Sequence, residues 1–267
     1  MGGDLMTRKN GRRLGPAVAL LTAIGLISAC GEATEPADAA KKPGTATSTA
    51  AGKPAQRTEP LTGTQLKGAL LTAEQAVGFE ITGSSARDGA EPPPSYDAKQ
   101  AVSPKACRQV WEATTGDGAE AAAASSTMYR GKSAVAPRST NLLSYPEEAA
   151  RTRMARLREA LGTCDRFRVS NAFGKGTVTS EVLDAPELGD DALRYRTLSR
   201  WDDGGFAWKL VTAMRVGGVI ATMDVQDITG PLPPEKLATF KPEPGPDEEV
   251  IATLIENVTG ILSARGR

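Results

Sequence analysis

The chain has 267 residues, with 32 lysines and arginines against 32 aspartates and glutamates, and no histidine. The missing imidazole excludes Ser-His-Asp and Cys-His catalysis, histidine proton shuttling and the usual zinc ligand sets. The balanced charge gives no long-range attraction for the phosphates that dominate nucleic-acid affinity, so no nucleic-acid partner is expected.

Residues 1–29 carry Arg8, Lys9, Arg12 and Arg13, then an apolar run from Leu14 to Ile27, and lead into Ile27-Ser28-Ala29-Cys30. A membrane-spanning helix needs roughly 20 mostly apolar residues. This run is shorter and ends in small residues, as the core of a removed export signal does. The stretch resembles a bacterial lipoprotein signal peptide, in which the lipobox cysteine is acylated and becomes the first residue of the mature protein. The alternative is a plain secretory signal with an incidental cysteine. On the lipoprotein reading Cys30 is the lipidation site, and its acyl chains hold the membrane at about 0.8 kcal/mol per buried methylene. Processing leaves 28 basic and 31 acidic residues, a slightly acidic surface.

From Gly31 to about Pro60 there is no aliphatic or aromatic residue larger than alanine. Such a stretch cannot bury enough apolar surface to offset the entropy of ordering, so residues 30–60 are expected to form a disordered tether. Residues 61–267 then form a single domain. Cys107 and Cys164 remain in an oxidising compartment and are expected to pair. A loop of roughly 58 residues corresponds to about 4 kcal/mol in the chain-entropy model.

Leu66, Leu70, Leu71 and Val77 point to one or two short helices before Gly78, and Gly83 to Gln100, with Pro92-Pro93-Pro94, reads as an exposed loop. Residues 104–113 read as a helix placing Cys107 and Trp111 on one face, with Trp111 near the disulfide. Residues 125–130 and 138–143 are short strands. Ser144 and Glu147 have capping-box spacing, and Ala150, Met154, Leu157 and Leu161 then recur at helical intervals up to Gly162. Arg151, Arg153, Arg156 and Arg158 form that helix's solvated side.

Phe167, Val169, Asn171 and Phe173 alternate with polar residues, and Gly174-Lys175-Gly176 turns into a strand carrying Val178 and Val182. Leu193 to Trp201 and Phe206 to Val216 alternate on either side of Asp203-Gly204, a favoured hairpin pair. Gly217-Gly218 turns the chain again into Val219, Ala221, Met223 and Val225. Two-residue turns would pair Trp201 with Phe206 and Val216 with Val219, giving an antiparallel meander. After Asp247, a helix cap, Val250, Ile251, Leu254, Ile255, Val258, Ile261 and Leu262 form an apolar stripe. That helix and the one at 145–161 are expected to cover one face of the sheet together. The class is α+β, an antiparallel meander of five to seven strands packed by helices including a C-terminal one.

The inferred register places Arg194, Arg196, Arg200, Lys209 and Arg215, with Asp224 and Gln226, on one side. That side is a candidate face for a phosphate or carboxylate, arginine being a planar bidentate donor; its alternative is the water-facing side of the sheet. Asp190-Asp191 and Asp202-Asp203 lack a calcium-loop pattern, and Gly174-Lys175-Gly176-Thr177 lacks phosphate-loop spacing. No metal and no cofactor are expected.

The order of features, with the lipobox, the tether, Leu70-Leu71-Thr72, Val77-Gly78, the Cys107 helix, Tyr145-Pro146-Glu147-Glu148-Ala149, Cys164 and Leu188-Gly189-Asp190-Asp191-Ala192, resembles actinobacterial lipoproteins related to the extracellular sensor domain of PknH-type serine/threonine kinases. The resemblance implies an antiparallel sheet with helices around a cleft, disulfide support, and ligand sensing without catalysis. This chain departs from it in having two cysteines for pairing, where the kinase domain has two disulfides. The expected protein is a monomeric, non-enzymatic lipoprotein on the extracytoplasmic face of the membrane, binding a small molecule or envelope component. The alternatives are a protein-binding envelope module, or a hydrolase or transferase using two converging carboxylates.

Overall fold

The computed structural model describes residues 59–89, 101–113, 122–130, 137–171, 174–233, 235–236 and 247–265. Cys30, the signal segment, nearly all of the tether, Phe173 and the three consecutive prolines lie outside them. In chain order the elements are α1 (Gly63–Ala69), β1 (Phe79–Arg87), β2 (Ala101–Ser103), a 3-10 turn (Lys105–Cys107), α2 (Arg108–Glu112), β3 (Ala122–Arg130), β4 (Arg138–Ser144), α3 (Glu147–Thr163), β5 (Arg166–Asn171), β6 (Gly174–Leu183), β7 (Asp191–Trp201), β8 (Phe206–Val216), β9 (Val219–Thr229) and α4 (Glu248–Ala264).

The strands make one antiparallel sheet in the order β1-β3-β4-β9-β8-β7-β6-β5-β2. The class is α+β as the sequence predicts, with nine strands among the described residues where five to seven are expected. The meander from β5 to β9 is present, and β4 joins its far side through β9. The additional strands are the two edges, and β1 occupies part of the stretch read as a loop.

The sheet is apolar on both faces. On one, α3 packs Ala150, Met154, Leu157 and Leu161 against Leu143, Tyr195, Val211, Ala213 and Ile220. On the other, α1 and α4 pack Leu66, Ile251, Leu254 and Val258 against Met128, Leu142, Met214, Ala221 and Met223. The two long helices therefore cover opposite faces, which corrects the expectation of a shared layer. Each apolar stripe finds its own face because β8 carries Val211 and Ala213 on one side and Leu210 and Met214 on the other.

Register also differs at one hairpin. Trp201 N donates to Gly205 O at 2.9 Å, and Asp203 Oδ1 accepts from Gly205 N at 2.9 Å. Asp202, Asp203 and Gly204 thus form a three-residue loop, with Gly204 at φ 88°. Arg200 rather than Trp201 faces Phe206, and Arg196 rather than Thr197 faces Leu210. At the other hairpin Val216 faces Val219 and Leu210 faces Val225, as expected.

Two helix starts are also corrected. Ser144 ends β4 and its Oγ accepts from Leu61 N at 2.7 Å, so α3 starts at Glu147 after Pro146 without a side-chain cap. Asp247 stands at the start of α4, but its carboxylate bonds to Arg130 and Arg138 instead of the helix N–H groups.

Candidate binding cleft

Cys107 and Cys164 form a disulfide with Cα atoms 5.5 Å apart, across a sequence separation of 57. Both are buried. The bond ties the 3-10 turn that opens α2 to the residue that ends α3, so these two elements stand side by side over one sheet face. Trp111 packs edge-on against Trp201, ring centroids 6.4 Å apart at 78°. Tyr195 donates its phenol proton to Val110 O at 3.2 Å. α2 is only five residues long, too short to be stable alone; the disulfide, the tryptophan pair and the tyrosine bond hold it in place.

A cleft opens between α2, α3 and the sheet. Leu143, Ala213 and Ile220 form its floor, with Met154 and Leu157 along the α3 side. Gln109 and Glu112 stand on the α2 side and Arg153 on α3. Glu112 bonds Arg108 at 3.4 Å, and the Arg153 guanidinium lies 4.9 Å over the Tyr145 ring. The enclosed space is about 30 Å³, enough for a water or two.

Next to the cleft on β9, Asp224 is 4% exposed. Burial raises its pKa, and Lys209, whose Nζ is 3.8 Å from Asp224 Oδ2, offsets only part of that rise. Burial, followed by the charge of Asp224, likewise pushes the Tyr195 phenol up. Thr222, which lines the cleft, accepts from Asn141 Nδ2 at 3.4 Å.

The proposed anion face does not assemble. Because of the register at the β7–β8 loop, Arg194, Arg196 and Arg200 point to the α1 and α4 face, whereas Lys209, Arg215, Asp224 and Gln226 point to the α3 face. Each cation has local work. Arg194 bonds Thr212 Oγ1 at 3.0 Å and Glu248 at 2.8 Å. Arg196 bonds Glu181 at 2.7 Å, and Arg200 lies 5.4 Å over the Phe206 ring. Arg215 bonds Asp190 at 2.9 Å and Gly217 O at 3.1 Å.

The aspartate pairs are likewise occupied. Asp190 accepts from Arg215 and from Gly217 N, Asp191 pairs with Arg158, and Asp203 closes its own loop. The sequence reading expected a cleft beside the sheet but not its position or its lining residues. The available signal was the disulfide, which requires the two cysteine helices to stand together.

Among the described residues no helix is long and apolar enough to cross a membrane. No family model matches the chain, and no curated protein matches it. Among solved structures it is similar to an uncharacterized protein, the Rv0999 ortholog, from Mycobacterium smegmatis, at 14% identity, covering 76% of this chain and 97% of that one with a TM-score of 0.37. It is also similar to the extracellular domain of PknH from Mycobacterium tuberculosis, at 12% identity, covering 76% of this chain and 100% of that one with a TM-score of 0.47.

Proposed function

We propose that this protein is a lipid-anchored, extracytoplasmic binding module that holds a small molecule or a cell-envelope component in the cleft between α2 and α3, without catalysis. Cys30 carries the anchor and residues 30–60 the tether. The observation that carries the binding reading is the cleft's construction: an apolar floor under a rim of Gln109, Glu112 and Arg153, with α2 stapled by Cys107–Cys164. Apolar floors with a few convergent polar groups are the usual make-up of ligand sites. Native mass spectrometry of the mature protein against envelope fragments tests it: a retained ligand supports the reading, and consistent silence from folded protein contradicts it.

A second reading is that the protein docks another protein by strand addition. Its supporting observation is β1, which ends the sheet and is exposed from Thr82 to Ala86. Binding that survives filling of the cleft but fails on substitution in β1 favours this reading.

A further inference from the structure

We propose that β1 is a self-association edge, through which two copies of this chain pair antiparallel about a two-fold axis at Ser84. The strand has β3 on one side and no described strand on the other. The outward row of peptide groups on such an edge is a template for another strand. The opposite edge, β2, has only three residues and offers little to pair with.

The bulge sets the register. Ile81 faces Met128 and Gly83 faces Thr127, so Thr82 is an extra residue in the ladder. Phe79, Ile81, Ser84 and Ala86 consequently share one face, and Glu80, Gly83, Ser85 and Arg87 share the other. Residues directly opposite in an antiparallel pair must point to the same face. A pairing that sets Ser84 against Ser84 of the second copy meets this condition along the whole strand. Gly83 then faces Ser85, Ile81 faces Ala86, Glu80 faces Arg87 and Phe79 faces Asp88, each match made twice. In an unbulged strand Glu80 and Arg87 would point to opposite faces and could not meet. With the bulge they form two reciprocal opposite-charge pairs flanking an apolar Ile81–Ala86 match.

One further feature agrees. The two-fold axis runs perpendicular to the sheet and keeps like faces together, so both copies of α1 lie on one side. The described part of both chains then begins on that side, which is compatible with two tethers reaching one membrane; this last point alone rests on the proposed anchor. The dimer replaces the monomer expected from the sequence.

The test uses the full-length chain in membranes, with Ser84→Cys and Thr82→Cys compared by oxidative cross-linking. Ser84→Cys is expected to give a homodimer, and Thr82→Cys, at the bulge, at least tenfold less. Glu80→Lys added to Ser84→Cys should lower the cross-linked fraction about tenfold, through two like-charge contacts. Adding Arg87→Glu to that variant should restore it. Equal cross-linking at both positions, none at Ser84, cross-linking to a different protein, or failure of the double reversal to rescue would each overturn the proposal.

Discussion

Asp224 is a carboxyl group buried on β9, where its charged form is disfavoured. Its folded pKa lies above the ordinary value of 3.8, because burial outweighs the attraction of Lys209. The folded protein therefore holds this proton more tightly than the unfolded chain does. The associated stability is complete below the ordinary value and is lost as pH rises through the raised folded value. Asp224→Asn should remove that loss, so its melting temperature should fall less than the wild type's over that rise. Parallel pH profiles for the two proteins would contradict it. The Asp247 carboxylate serves Arg138, which is 1% exposed. Asp247→Ala leaves a buried guanidinium without this partner and is expected to cost about 3 kcal/mol in urea unfolding. A cost below about 1 kcal/mol would mean that the pair behaves as a surface bridge.

At the scale of elements, what the sequence could convey depended on whether one residue decided the geometry. Gly217-Gly218 admits one tight closure, and Val216 opposite Val219 follows. Asp202-Asp203-Gly204-Gly205 admits loops of two or three residues, and the side-chain bond from Asp203 to Gly205 N selects three. That single residue separates Arg194, Arg196 and Arg200 from Lys209 and Arg215. An apolar stripe says that a helix buries a face, but it does not say which side of a sheet receives it. The missed clue was β8, where Val211 and Ala213 add a second apolar parity beside Leu210 and Met214. β1 was hidden because Gly83, Ser84 and Ser85 read as loop residues, although they suffice for an exposed edge. The glycines offer a check on these turns. A Cβ at Gly218 would run into the Tyr145 carbonyl oxygen, which is backbone and cannot swing aside. Gly218→Ala is expected to cost about 2 kcal/mol or more, against about 1 kcal/mol for Gly204→Ala at its positive φ. Equal costs in denaturant unfolding would refute the close approach.

At the scale of the molecule, one covalent bond links stability to the cleft. The bond was legible because the proposed export would leave two cysteines in an oxidising compartment. The position and lining of the cleft beside it were not, because that lining comes from α2, α3, β4, β8 and β9 and is brought together only by the fold. Cys107→Ala with Cys164→Ala is expected to lower unfolding free energy by about 4 kcal/mol in the chain-entropy model, and to weaken ligand retention through release of α2. The proposed anchoring is separable from both: on that proposal Cys30→Ala should move the protein from the membrane to the soluble fraction with its fold unchanged. The most direct measurement is native mass spectrometry of the mature protein and of Ala113→Trp, which places an indole at the half-buried mouth of the cleft. Retention of an envelope-derived ligand by the first and its loss from the second, with equal melting temperatures, is the expected result. Equal retention by both, or none by either, would contradict a binding cleft between α2 and α3.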